Sequence, residues 1–126
     1  MIQNLVCVLG VSADSFSKKE IQEVFNGKYN TENFEPEFHS IFHEEGYIVF
    51  EILDKDDGRN ISLNELIEMK SKFLPLNEER KQIYSTFLNT VGKIELLDKI
   101  DIFIYAADDN ANEDFYDKLL NNRYSK

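Results

Sequence analysis

YIVFEILDKDDGRNISLNE, residues 47–65, decides between two folds for this chain. Residues 47–53 are rich in β-branched and aromatic side chains, which favour a strand. The Asp-Gly step that follows is a strong hairpin signal, and in that interpretation residues 54–60 turn into a short return strand, ISL. A short apolar run of this kind also suits a buried helix, because periodicity alone does not separate the two. The stretch therefore joins either two extended segments or two helices.

The acidic turn from Asp54 to Glu65 carries oxygen atoms at the spacing of a twelve-residue calcium loop. Such a loop takes ligands from positions 1, 3, 5, 7, 9 and 12 and has glycine at position 6. The residues that would supply oxygen here are Asp54, Asp56, Asn60 through its carbonyl, Ser62 and Glu65. Two positions depart from the pattern: Gly58 offers no side-chain ligand, and Arg59 stands where glycine would accept a positive φ. These departures predict weak calcium binding or none.

The segments on either side of the turn carry apolar residues at helical spacing. Phe50 and Leu53 precede it, and Leu66 and Met69 follow it. On these residues, the segment 47–88 resembles the EF-hand superfamily, in particular its calmodulin and myosin light-chain branch. The resemblance implies a mainly α fold, built from EF-hand-like helix–loop–helix pairs with degenerate loops.

The same resemblance implies a function. It points to a non-catalytic, calmodulin-like or light-chain-like subunit whose apolar groove accepts a basic amphipathic helix of a partner protein. The groove residues would be Phe50, Leu66, Met69 and Phe73. An acidic rim would steer the helix, so the rate of binding should fall as salt is added.

Local helix signals occur elsewhere in the chain. Ser17 precedes KKEIQEVF, Asn77 precedes EERKQIYSTFL, and Ser62 with Glu65 forms a capping-box pattern before LIEMKSKF. A proline in KFLPLN predicts a break between helices, and NEDFYDKLLNNRY, residues 112–124, predicts a further helix. Residues 2–9, 47–53 and 99–106 suit either strand or buried helix. As strands, they give the alternative fold, α+β with a small antiparallel sheet.

Length and composition predict a small folded protein. The 126 residues suit a single domain, 1–126, or two small lobes joined by the polar, Asn-rich segment 26–37. A lone cysteine, Cys7, allows no internal disulfide, so we expect a cytoplasmic location. No apolar run approaches the roughly 20 residues of a membrane helix, and we expect no membrane association.

The formal net charge of −10 favours a partner with a basic surface. It disfavours nucleic acid as a partner, because phosphates are bound by a basic protein surface. No nucleophile or phosphate-loop motif occurs, and we do not expect an enzyme. His39 and His43 are four residues apart, a minor candidate for a zinc pair that lacks an evident third ligand.

A second function fits the same acidity. Small immunity or inhibitor proteins block basic toxins, such as nucleases, by covering a cationic surface with carboxylates. The candidate contacts in that interpretation are the acids of residues 54–57 and 108–114.

Overall fold

Four strands and three α-helices make up the described part of the protein. The computed structural model describes residues 4–41, 45–57 and 61–107. In chain order the elements are β1 (Asn4–Ser12), α1 (Lys18–Phe25), β2 (Glu37–Ile41), β3 (Glu45–Asp57), α2 (Leu63–Phe73), α3 (Glu78–Thr90) and β4 (Asp101–Ala107). Short 3₁₀ turns at Ala13–Ser15 and Ile94–Lys99 precede α1 and β4.

The four strands form one antiparallel sheet in the order β2-β3-β1-β4. β1 lies in the centre, paired with β3 on one side and with β4 on the other. One helix connects β1 to β2, and two helices connect β3 to β4. This is the connectivity of a split β-α-β sheet, the ferredoxin-like arrangement, with an additional helix before the last strand.

The expected mainly α fold of EF-hand-like pairs is therefore wrong, and the α+β alternative describes the class. Residues 47–53 lie in β3 and are paired with β1, and Tyr47 to Val49 are also paired with β2. Their β-branched and aromatic side chains pack on both faces of the sheet. The predicted return strand ISL is also wrong, because Leu63 begins α2 and the hairpin partner of β3 is β2.

The helix starts predicted from local signals are confirmed. The capping side chains and the backbone N–H groups that donate to them are Ser17 with Glu20, Ser62 with Glu65, and Asn77 with Arg80. The first two also form full capping boxes. A break at Leu74–Pro75 separates α2 from α3, as the proline predicted. The predicted helix at 112–124 lies outside the described residues.

The main core lies between the sheet and the helices. Strand residues of this core include Cys7, Leu9, Val11, Ile48, Phe50 and Ile102, and helix residues include Ile21, Val24, Tyr84, Phe87 and Leu88. The predicted connector, residues 26–37, leads from α1 to the start of β2 and contributes Phe34 to the same core. Aromatic rings of Phe34, Phe50 and Tyr84 meet with centroids 4.7–5.7 Å apart.

A second, smaller core fills the other face of the sheet. It consists of Val6, Val8, Val49 and Tyr105, with Tyr47 and Phe103 packed against it. The sheet curls around this cluster, because the edge strands β2 and β4 contact each other and the rings of His39 and Tyr105 lie 6.4 Å apart. Register shifts in β3 opposite β1 permit this curvature, as bulges increase local bend and twist.

Candidate functional site

The predicted calcium ligands that the structure describes lie on two elements, β3 and α2. Asp54 and Asp56 lie in β3, opposite Cys7 and Leu5 of β1. Ser62 and Glu65 begin α2, where each side chain accepts a hydrogen bond from the other's backbone N–H at 3.2–3.3 Å. Asn60 lies outside the described residues. Among residues 4–41, 45–57 and 61–107, no group of three or more His, Cys, Asp or Glu is placed to hold a metal ion. Calcium binding stays a prediction.

The capping box gives a first testable result. We expect Ser62→Ala to lower the free energy of unfolding by about 1 kcal/mol, because a backbone N–H at the start of α2 loses its acceptor. Ser71→Ala, an exposed serine inside the same helix, is the control and should change stability by less than about 0.5 kcal/mol. Urea denaturation measures the free energy of unfolding of both variants, and a chelator in the buffer removes any contribution from bound metal. Equal effects of the two changes would contradict the capping role.

Of the four predicted groove residues, one lies in the protein's own core and three pack against it. Phe50 is buried on β3 with its ring centroid 4.7 Å from that of Tyr84. Leu66, Met69 and Phe73 are the inward side chains of α2 and pack against the main core. The outward face of α2 instead presents Leu63 and Ile67, which are 72% and 55% exposed.

The ends of β3 and β4 lie side by side because both strands are antiparallel to β1. Asn4 pairs with Asp57 on one side and with Ala107 on the other. Neighbouring strands are about 4.8 Å apart, so the backbones of Asp57 and Ala107 are about 10 Å apart across β1. The chain continues from Ala107 directly into Asp108 and Asp109. We call this region, Asp54 to Asp57 of β3 with the end of β4 at Ala107, the acidic end of the sheet.

The thiol of Cys7 is enclosed beside this region. Its side chain is fully buried, and its Sγ lies 3.1 Å from the Sδ of Met69. Burial, with a smaller contribution from the Asp54 carboxylate, raises the pKa of Cys7 to about 11. Burial likewise raises the pKa of Tyr84 to about 12, helped by the charge of Glu51. Both groups are therefore held in their neutral forms.

These raised pKa values predict a loss of stability in alkali. Between the unfolded and folded pKa values, at about pH 9–12, the folded chain keeps protons that the unfolded chain has lost. Stability is therefore complete below pH 9 and falls as pH rises through this window. Urea denaturation at pH 8 and pH 10.5 gives the decrease in the free energy of unfolding between the two pH values. We expect Cys7→Ala to make this decrease smaller by roughly 1–2 kcal/mol. An unchanged loss in this variant would contradict the argument.

A cleft runs along α3, opposite the connector. Its larger groove, about 450 Å³, lies between residues 28–34 and α3 and is lined by Tyr29, Asn30, Asn33, Phe34, Gln82, Ile83, Thr86, Phe87 and Thr90, among others. The second groove, about 310 Å³, is lined by Glu35, Glu51, Glu79, Arg80 and Tyr84, among others. Asn33, Phe34 and Ile83 line both grooves, so the two adjoin. We call this surface the α3 cleft.

An ion pair fixes the wall of the second groove. Arg80 donates to both carboxylate oxygens of Glu51, from Nε at 2.9 Å and from Nη2 at 3.1 Å. The hydroxyl of Tyr84 donates to the same carboxylate at 3.4 Å, and the Arg80 guanidinium lies 5.1 Å from the ring centroid of Phe73. The charge of Glu51 is thus matched within the protein, whereas Glu35 and Glu79 present exposed carboxylates to the groove.

His39, the candidate for a zinc pair, lies on β2 rather than on a helix. Its Nε2 is 2.9 Å from a carboxylate oxygen of Glu37, two residues earlier on the same face of the strand. His43 lies outside the described residues.

Sequence reasoning identified the connector and α3 separately and did not assign a cleft between them. The signals that could have suggested it are the amides and hydroxyls of NGKYNTEN and the Gln82, Thr86, Thr90 spacing, which repeats every four residues on one face of α3.

No described helix is long and apolar enough to span a bilayer.

Comparison with protein-family models, with curated proteins and with solved structures gives no match for this chain in any of the three.

Proposed function

We propose that the chain is a non-catalytic acidic protein that binds the basic surface of a partner, as small immunity and inhibitor proteins do when they block basic toxins such as nucleases. The observation that carries the proposal is the strand register at the acidic end of the sheet. Asp57 and Ala107 both pair with Asn4, so residues 54–57 and the strand end that precedes the second acidic stretch in sequence lie at the same end of one sheet. Carboxylates carried by a paired sheet end are well suited to a fixed cationic surface.

The overall charge supports the same type of partner. A net charge of −10 attracts a basic protein over several ångströms and speeds its diffusional encounter. Residues 54–57 contribute three aspartates against one lysine, and residues 108–114 contribute four acids and no base. Both stretches therefore carry a net negative charge.

The basic-helix alternative has less support. It required Phe50, Leu66, Met69 and Phe73 to line an open groove, and all four pack against the protein's own core. A flat or convex basic surface can meet the end of the sheet without any rearrangement of α2.

The experiment compares two double variants that remove the same charge. Asp56→Asn with Asp57→Asn removes two negative charges at the acidic end. Asp14→Asn with Asp98→Asn removes two exposed charges near the opposite end of β1. For a partner captured by the tagged protein, we expect the first variant to weaken binding about tenfold and the second about twofold or less. The affinity of the unmodified protein should also fall steeply with ionic strength.

Zero-length carbodiimide coupling locates the contact independently. It joins a carboxylate to an amine only where the two touch, so the partner's lysines should couple within residues 54–57 or 108–114. Equal weakening by both double variants, or coupling confined to other carboxylates, would reject the acidic end as the binding surface.

A further inference from the structure

We infer that the α3 cleft binds an extended peptide segment of a partner, in which a lysine or arginine lies close to an apolar residue. This site is separate from the acidic end of the sheet, and either can fail without the other.

The larger groove suits a peptide backbone with an apolar side chain. Its apolar wall is formed by Tyr29, Phe34, Ile83 and Phe87. The side chains of Asn30, Asn33 and Gln82 are exposed along it and offer an N–H donor and a carbonyl acceptor each, which matches the alternating groups of an extended peptide. Lys28 also lines this groove, but its ammonium is paired with the carboxylate of Glu23. The groove is thus close to electrically neutral.

The second groove suits a cation. Glu51 is matched by Arg80, and the exposed carboxylates of Glu35 and Glu79 remain beside it. Phe34 and Tyr84 also line this groove but are nearly buried, so the exposed carboxylates are the groups that attract a cation here. The two halves of the cleft therefore differ in chemistry, one neutral and partly apolar, the other acidic.

The length of the cleft favours an extended segment over a single small molecule. Its lining residues on α3 run from Glu79 to Thr90, and Asn77 lies just before the helix. At 1.5 Å per residue this distance is about 20 Å. An extended chain covers that span with about six residues.

The test uses two synthetic hexapeptide pools with ¹⁵N-labelled protein. The first pool has a fixed leucine and a fixed arginine three positions apart, with alanine, serine or glycine elsewhere; the second has glutamate in place of arginine. We expect the arginine pool to shift the amide resonances of Asn33, Ile83 and Thr86, and the glutamate pool to have little effect. Shifts confined to other residues, or equal shifts with both pools, would overturn the proposal.

Two matched pairs of variants decide the location. Thr86→Trp should fill the larger groove and weaken binding of the arginine pool about tenfold. Asn89→Trp lies on the same helix outside the cleft and should change that affinity about twofold at most. Glu79→Lys should weaken binding of the same pool about fivefold. Glu78→Lys is its control, because both acids lie in the first turn of α3 and only Glu79 lines the cleft. Equal effects within both pairs would also overturn the proposal.

Discussion

Leu88→Ala is expected to lower the free energy of unfolding by about 3 kcal/mol, or the melting temperature by roughly 10 °C. Leu88 lies on α3, has no exposed surface and belongs to the main core between the helices and the sheet. Truncation removes about three buried carbon atoms and leaves a cavity that the surrounding strands cannot fully close. Chemical denaturation followed by far-UV circular dichroism measures the change.

Leu63→Ala is the matched control for this prediction. It removes the same atoms from α2, but Leu63 is 72% exposed, so the change should be within about 0.5 kcal/mol. A comparable loss in both variants would mean that α3 does not pack against the sheet as described. The difference between the variants therefore measures the burial of α3 rather than the chemistry of leucine.

Local signals allowed the helices to be predicted, because the groups that fix each helix start are adjacent in sequence. Ser17, Ser62 and Asn77 each accept a hydrogen bond from a backbone N–H three residues later, so the pattern is visible without knowing the fold. The same local pattern at Ser62 and Glu65 was also interpreted as part of a calcium loop. Capping boxes and the ends of such loops use the same residue types, and only the preceding segment separates them.

That preceding segment misled the sequence analysis for a physical reason. In β3 the register against β1 shifts at two places, so that Phe50 and Leu53 are the inserted residues. Phe50 belongs to the main core and Leu53 packs against it. A bulged strand can thus place residues three apart on one face, which is also what a helix does. Phe50 and Leu53 therefore do share one face, as the helix interpretation required, but two bulges in a strand place them there.

The α3 cleft could not be predicted because its two walls are far apart in sequence. Residues 28–34 and 79–90 come together through tertiary packing, which includes the rings of Phe34 and Phe87 with centroids 5.7 Å apart. The acidic end of the sheet has the same origin, since Asp57 and Ala107 are brought to one end of the sheet by the pairing of both strands with β1. The negative net charge of the chain was evident from its composition, whereas the place of the acidic residues in the fold depended on the order of the strands.

Gly10→Ala is the second large effect, and it follows from one of the bulges. Gly10 lies in β1 at the register shift where Phe50 is inserted into β3. A Cβ added there would lie 2.2 Å from the backbone carbonyl oxygen of Ile48. That oxygen belongs to a central strand and cannot move without disturbing the β1–β3 pairing. We expect a loss of about 3 kcal/mol in the free energy of unfolding, at the upper end for an overpacked site.

Gly46→Ala distinguishes this backbone clash from a general cost of replacing a strand glycine. At Gly46 the nearest atoms to an added Cβ belong to the ring of Phe38, at 2.5 Å and 2.7 Å. A side-chain ring can shift where a paired carbonyl cannot, so the expected loss is smaller, about 1–2 kcal/mol. Urea denaturation of both variants gives the comparison. Two equal losses, or a Gly10→Ala variant as stable as the unmodified protein, would contradict the bulge, because a regular β1–β3 pairing leaves room for a methyl group at position 10 and provides no reason for glycine there.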